Sequence, residues 1–307
     1  MAVACAFLAA AAHSQSININ SDLLAAARRG DTGGVRALLE RGAAVDSRNR
    51  LGDSPLLIAA KNGYTPMALL VLERGADVNQ RNLSGVSALM AAAFEGNVEL
   101  TRALLARGAA LASVDRAKKT AVVYAAGNGH AEVLGLLLER GAAVNSRNRL
   151  GDSPLLIAAK NGYTPLALLV LERGADVNQR NLSGVSALMA AAFEGNVELT
   201  RALLARGADL ASVDRAKKTA VLYAAGNGHA EVLGLLLERG VDVNQRYDND
   251  LTALMWAAAY GREAAVKLLL ERGADVSAHD NRGKTAADMA AEGGHRGTLE
   301  LLRKNAS

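Results

Sequence analysis

Apolar and polar residues alternate along the chain in blocks that recur every 33 residues. Within one period, residues 50–82, a short apolar run with paired alanines is followed by a polar turn. A second, leucine-rich apolar run and a longer polar stretch with glycine and asparagine complete the unit. Apolar runs of this length between turn residues predict two short helices. The longer polar stretch predicts an extended finger in which glycines supply positive φ.

Particular residues mark the ends of both helices. Ser54 can cap the first helix, Pro55 suits its first turn, and Gly63 can end it in a left-handed conformation. We predict that Thr65 caps the second helix in the same way and that Gly75 ends it. Helices this short are marginal alone in water, so each layer must be stabilised by its neighbours.

The same unit is preserved through most of the chain. Nine copies run from Ser21 onwards, and Ser47–Gly141 recurs at Ser146–Gly240 with three differences over 95 residues. A stack of similar layers accounts for such a period, whereas a single globular core does not require one. We interpret the chain as a leader (1–20), an N-terminal capping repeat (21–49), seven internal repeats (50–280) and a C-terminal capping repeat (281–307).

The unit resembles the ankyrin repeat. The starts of its first helix, Ser54–Leu57, and of its finger, Gly75–Asn79, are similar to the Thr-Pro-Leu-His and Gly-Ala-Asp-Val-Asn motifs of that family. The fourth place of the first motif is apolar here, where the family usually has histidine. The resemblance implies an all-α solenoid of helix-turn-helix layers with short β-hairpin fingers. It also implies non-catalytic binding of a protein partner.

Aromatic residues on the first helices are candidate contacts for that partner. Small side chains in the first helices and large ones in the second predict a curved stack, with the first helices on the concave side. Trp256 and Tyr260 are expected there as anchors, and core packing between layers is the alternative. For Tyr124 and Tyr223, packing is the favoured interpretation.

Cations recur on successive finger tips and predict a basic ridge that contacts the partner. A solvated turn whose charge is partly neutralised by aspartates is the alternative. Lys118 and Lys217 stand where other fingers carry glycine, as does Asp250, so positive φ is predicted at all three. The residues predicted to bind the partner are Arg50, Arg81, Arg116, Lys118, Lys119, Arg149, Arg180, Arg215, Lys217, Lys218, Trp256 and Tyr260.

Composition narrows the classes of function. The chain is half hydrophobic but 3% aromatic, and its formal charge of +4 includes no basic run long enough for a nucleic-acid arm. His130 and His229 recur at one position of the repeat, and no nucleophile, base and orienting group occur together outside the repeat pattern. We therefore expect no enzymatic activity, no metal, no cofactor and a monomer. A structural spacer, or a regulatory or inhibitory subunit of an enzyme, is the alternative function.

The N-terminal apolar run, Ala2–Ala12, has the length of a signal-peptide core and is too short to span a bilayer. Small residues before Gln15 offer a cleavage site, although no Lys or Arg precedes the run. Cys5, the single cysteine, leaves no disulfide to form within the chain. We expect export, to the periplasm in a Gram-negative bacterium, with a cytoplasmic protein carrying an apolar tail as the alternative.

Overall fold

The computed structural model describes residues 18–305. The chain divides into two compact units, Met1–Arg149 and Leu150–Ser307. In the described part of each unit, pairs of short helices alternate with finger loops. The helices of the first unit are α1 (18–29), α2 (Thr32–Glu40), α3 (Pro55–Lys61), α4 (Thr65–Glu73), α5 (Ala88–Glu95), α6 (Val98–Ala106), α7 (Ala121–Gly127) and α8 (Ala131–Glu139).

The second unit continues the same alternation, with one 3-10 turn, Asp248–Asp250, in a finger. Its helices are α9 (Pro154–Lys160), α10 (Thr164–Glu172), α11 (Ala187–Glu194), α12 (Val197–Ala205), α13 (Ala220–Asn227), α14 (Ala230–Glu238), α15 (Ala253–Ala259), α16 (Glu263–Glu271), α17 (Ala286–Glu292) and α18 (Arg296–Lys304).

Packing within each unit follows the order of the repeats. First helices pack on first helices, as in α3, α5 and α7, and second helices pack on second helices, as in α4, α6 and α8. The core between them is aliphatic, and Leu56, Leu57, Met90 and Leu104 are at most 1% exposed. Burying a side chain of this size contributes about 1.5–3 kcal/mol. Interlayer burial therefore supplies the stability that the short helices lack alone.

The helix ends confirm one predicted cap and correct another. The Ser54 hydroxyl accepts a hydrogen bond from the amide three residues on at 3.3 Å, and Gly63 follows α3 with φ 69°. The predicted cap at Thr65 is wrong, because Tyr64 occupies the N-cap and makes no side-chain cap bond. Thr65 Oγ1 instead accepts a hydrogen bond from Asn97 Nδ2 at 2.6 Å. The Thr65 hydroxyl, which the local sequence pattern assigned to the helix cap, therefore makes a polar contact with the next layer instead.

Side chains that precede the second helices bond the first helix of the preceding pair. His229 Nε2 donates to Phe193 O at 2.9 Å, and Arg262 Nε donates to Gly226 O at 2.9 Å. His130 makes the equivalent bond in the first unit. The acceptors are carbonyls at the C-terminal end of a first helix, which have no partner within their own helix. This role accounts for the recurrence of histidine with the repeat.

An Asn or Asp side chain closes the finger turns, except in the finger that has Tyr247 at this position. Asp115 Oδ1 accepts hydrogen bonds from the amides of Ala117 and Lys119 at 2.9 and 2.7 Å. Successive tips are joined by a single backbone bond, such as that from Arg116 N to Ser84 O at 3.0 Å. Among residues 18–305 the β-structure of the fingers consists of isolated bridges, without extended strands: Arg81–Ser87 and Arg180–Ser186.

The non-glycine tips adopt the predicted left-handed conformation. Lys118 and Lys217 have φ 59° and Asp250 has φ 61°, where other fingers have glycine. Asn249, for which no such conformation was predicted, also has φ 61°. The same finger has Tyr247 where its neighbours have the turn-closing Asn or Asp, so its turn is built differently. An L-residue in this conformation costs roughly 1–2 kcal/mol.

Candidate functional site: aromatic groups and finger tips

An aromatic group lies between a first helix and the adjacent finger in the first unit. The Phe94 and Tyr124 rings meet edge to face, with centroids 6.0 Å apart. Lys119 Nζ lies 5.2 Å from the Tyr124 ring centroid. The Tyr124 hydroxyl donates to Asp115 Oδ2 at 2.7 Å, while the other oxygen of that carboxylate closes the finger turn. Phe94, Asp115, Lys119 and Tyr124 form what we call the first-copy cluster.

The second unit contains the duplicate of this arrangement, the second-copy cluster, formed by Phe193, Asp214, Lys218 and Tyr223. The Phe193 and Tyr223 rings are 5.8 Å apart, again edge to face. The Tyr223 hydroxyl donates to Asp214 Oδ2. Burial, followed by the hydrogen bond to this carboxylate and its charge, raises the pKa of Tyr223. The tyrosine therefore stays neutral and holds the first helix to the finger.

The second-copy cluster is extended by the next repeat. Lys218 Nζ lies 5.7 Å from the Tyr223 ring centroid and 5.1 Å from that of Trp256. Trp256 meets Tyr260 edge to face, with centroids 5.6 Å apart. Together with Arg262, these side chains line a groove of 180 Å³. We call it the aromatic groove; Phe193, Lys218, Leu222, Tyr223, Gly226, Asn227, Trp256, Tyr260 and Arg262 line it.

The aromatic groove is accessible from solvent. Phe193 is 50% exposed and Tyr260 is 49% exposed, and Phe94 of the first-copy cluster is 48% exposed. Trp256 and Tyr223 are half-buried. Packing between layers does not require an exposed ring, yet about half of the surface of Phe94, Phe193 and Tyr260 remains in contact with water. Exposed aromatic groups of this kind are typical of the central contacts of protein interfaces.

The predicted basic tip residues separate into three groups. Lys119 and Lys218 lie over aromatic rings, as described above. Arg81 and Arg180 are engaged within the chain, since their guanidinium groups donate to the carbonyls of Val114 and Val213 in the next finger. The remaining tip cations are exposed and their side chains have no hydrogen bond or ion pair within residues 18–305: Arg50, Arg116, Lys118, Arg149, Arg215 and Lys217.

Some of the finger aspartates that could neutralise the tips are instead buried and bonded within the molecule, whereas Asp248 and Asp250 are exposed. Asp53 is 5% exposed, forms an ion pair with Lys61 at 3.2 Å and accepts a hydrogen bond from Asn82 Nδ2 at 2.8 Å. Burial opposes ionisation of this carboxyl, but the bonds from Asn82 and Lys61 outweigh burial and lower its pKa. Asp214 is also buried. Their negative charges are therefore committed to bonds that hold the fingers.

The comparison with known families matches this architecture. The family model for ankyrin repeats (3 copies) matches residues 5–82, 23–115, 89–181, 155–247 and 244–307. The chain belongs to the ankyrin repeat family. Ankyrin repeats are generally protein–protein interaction modules and are typically non-catalytic. A search of curated proteins finds no significant match.

Two negative observations concern the residues that the structure describes. No three His, Cys, Asp or Glu side chains among them come together in a way that could hold a metal ion. None of the ankyrin helices in the same range has both the length and the apolar character needed to cross a bilayer. The apolar run of the predicted leader and its cleavage site lie outside the described range, whereas residues 18–20, assigned to the leader, lie in α1.

The sequence analysis missed several residues of this surface. Arg262 lines the aromatic groove, and its place in the ankyrin period, equivalent to His229, was the available signal. Phe193 also lines the groove, and its place as an aromatic residue on a first helix was the signal for it. Four leucines at the finger tips are 61–65% exposed beside the basic residues: Leu51, Leu83, Leu150 and Leu182. Their recurrence one or two residues before a glycine, as apolar residues inside a polar finger, was the signal for them.

Proposed function

We propose that this protein is a non-catalytic binding module that recognises a protein partner through its first-helix face and its finger tips. The observation that carries the proposal is the set of half-exposed aromatic rings at Phe94, Phe193 and Tyr260. Exposed rings that pack against partly buried ones offer apolar surface to a partner. Because the rings already hold each other in place, binding costs little side-chain entropy.

The finger tips support the same proposal. Exposed leucines and unpaired cations alternate there, as at Leu83 and Arg116 in the first unit and at Leu182 and Arg215 in the second. Interfaces favour arginine together with apolar contacts, and basic side chains raise the association rate with an acidic surface. The exposed tips and the aromatic groups therefore make two adjacent contact regions in each unit.

Affinity purification of the tagged chain under native conditions, followed by crosslinking and mass spectrometry, tests this function. We expect a specific partner crosslinked near the aromatic groups or the tips. The double variant Trp256→Ile/Tyr260→Asn should reduce its recovery. These replacements are well suited because Ile157 and Asn161 occupy the equivalent positions 99 residues earlier in the chain.

The outcome also separates the alternative functions. Absence of any specific partner, from native compartment extracts and at several salt concentrations, would favour a structural spacer and contradict the proposal. An enzyme recovered as the partner, with an activity that changes on binding, would identify a regulatory or inhibitory subunit. Variants at Arg81 or Arg180 serve as fold controls, because those side chains bond the next finger.

We also propose that the protein is exported, on the basis of the apolar run at Ala2–Ala12 and the small residues before Gln15. Expression in a Gram-negative host and cell fractionation test this. A periplasmic product whose N-terminus is Gln15 would support export. An uncleaved cytoplasmic product would contradict it and leave the binding function unaffected.

A further inference from the structure

We infer that the aromatic groove of the second unit binds an acidic peptide segment of the partner that carries one large apolar side chain. The inference rests on the proposed protein-binding function and specifies its ligand chemistry. Three features carry it: the charge of the groove, its size, and the difference between the two duplicated copies.

The charge of the groove is positive. Its charged lining residues are Lys218 and Arg262, and no carboxylate lines it. Lys218 Nζ has no ion-pair partner among the described residues and lies over the Tyr223 and Trp256 rings. The Arg262 guanidinium donates through Nε to Gly226 O, which leaves its other nitrogens available. A negatively charged ligand gains from both cations, whereas a basic one is repelled.

The nearest carboxylate of the cluster does not cancel this charge. Asp214 is 8% exposed and accepts bonds from the Ala216 and Lys218 amides and from the Tyr223 hydroxyl. Even with this charge counted in full, two cations and one anion leave the groove net positive. Since Asp214 is buried and both of its oxygens already accept hydrogen bonds within the chain, it offers little to a basic ligand.

The size of the groove favours one side chain over a whole small molecule. Its volume is 180 Å³, below the roughly 300–1,000 Å³ of pockets that enclose small-molecule ligands. Its walls include rings, and at Gly226 an added Cβ would be in ordinary van der Waals contact, 3.7 Å from Tyr260 and 3.9 Å from Trp256. An aromatic or large aliphatic side chain can therefore stack between the rings while flanking carboxylates reach the cations.

The duplication provides a natural comparison. The second-copy cluster is followed one repeat later by Trp256 and Tyr260, whereas the chain has Ile157 and Asn161 at the equivalent positions after the first copy. The two clusters are otherwise built from the same residue types. The complete aromatic groove is therefore specific to the second copy, and variants at Lys218 and Gly226 have matched controls at Lys119 and Gly127 of the first copy.

Peptide binding to the full chain tests the inference. The probes are three short synthetic peptides, each with one phenylalanine flanked by Glu and Asp, by Gln and Asn, or by Lys and Arg. Binding is followed by the fluorescence of Trp256, the only tryptophan of the chain, and by isothermal titration calorimetry. We expect the acidic peptide to bind at least tenfold more tightly than the neutral one, with an affinity that falls as salt rises. The basic peptide should not bind.

Three variants and two matched controls locate the site. Trp256→Ile/Tyr260→Asn should weaken the acidic peptide at least tenfold by calorimetry. Lys218→Met should lower the affinity for the acidic peptide towards that of the neutral peptide, because Arg262 is then the only cation among the described residues that line the groove, while Lys119→Met, its counterpart in the first copy, should have no effect. Gly226→Leu should block the groove, with Gly127→Leu as the matched control, since both glycines lie in equivalent helices without positive φ.

Equal affinity for acidic and neutral peptides, preference for the basic peptide, or affinity unchanged by Trp256→Ile/Tyr260→Asn would overturn the inference. Failure of all three peptides to bind at millimolar concentration would also overturn it. None of these results depends on partner capture by the whole chain. If the chain still captures a partner, the binding function stands and only the assigned ligand chemistry fails.

Discussion

Replacing Lys217 by glycine should stabilise the second unit. Lys217 has φ 59°, and the glycine of the preceding finger, Gly184, has φ 81°. The left-handed conformation costs an L-residue about 1–2 kcal/mol, and glycine's greater freedom in the unfolded chain offsets about 0.5–1 kcal/mol of this. The Lys217 ammonium has no hydrogen bond or ion pair among the described residues to repay the difference. We therefore expect a gain of about 0.5–1 kcal/mol for Lys217→Gly.

The preceding finger supplies the opposite control. A Cβ at Gly184 would lie 3.0 Å from Asp214 Cα and 3.2 Å from Val213 O, both backbone atoms of the next finger. Gly184→Ala therefore combines the same strain with a clash that requires backbone movement. We expect a loss of about 2–4 kcal/mol, from strain of about 1–2 kcal/mol and overpacking of about 1–3 kcal/mol.

Urea unfolding at equilibrium measures both effects. Trp256 fluorescence reports on the second unit and far-ultraviolet circular dichroism on the whole chain, so the two probes reveal whether the units unfold together. Lys118→Gly tests the same reasoning in the first unit and should show its gain by circular dichroism alone if they do not. A loss of stability in Lys217→Gly would refute the strain argument. It would mean that the lysine side chain makes a folded-state contact worth more than the strain.

Three further changes test other parts of the structure. Thr200→Val should stabilise the folded chain by about 1 kcal/mol, as measured by urea unfolding. The buried Thr200 hydroxyl has no hydrogen-bond partner among the described residues, and valine is already buried at the equivalent position two repeats later, Val266. Asp53 has a lowered pKa, so its stabilisation is present above the ordinary carboxyl pKa of 3.8 and is lost as pH falls through the lower folded value. Asp53→Asn should therefore be less stable at pH 7 and flatten the acid limb of the stability curve. His229→Ala should cost about 1 kcal/mol and speed amide exchange at the end of α11, because Phe193 O loses its donor.

The helices could be predicted from local sequence because each depends on residues within one period. Ser54, Pro55 and Gly63 mark α3 where the structure has it. The left-handed tips at Lys118 and Lys217 could be predicted because the same turn recurs with glycine in other fingers. Because the repeats share one pattern, the backbone conformation of one repeat predicts that of the others.

The core residues could also be predicted from the repeat. Paired alanines and leucines at fixed positions in each repeat leave few ways to stack the layers. Helix-capping patterns gave the wrong hydrogen-bond partner where a side chain had two possible partners. Thr65 could cap its own helix or bond Asn97, and the bond to Asn97 is the one that the structure contains. That choice depends on a residue 32 positions away, which helix-capping patterns do not include.

The sequence by itself determined the family, the helix pairs, the left-handed tips and the positions of aromatic and basic residues. Only the tertiary structure decided which of those residues are available. Arg81 and Arg116 both lie on finger tips, but Arg81 bonds the next finger and Arg116 is free to contact a partner. Lys218 lies over Trp256 because stacking brings positions from successive repeats together. Whether a side chain can contact a partner depends on what it meets in the neighbouring layer. The 33-residue period predicts the backbone of each layer, but it does not predict the side-chain contacts between two layers.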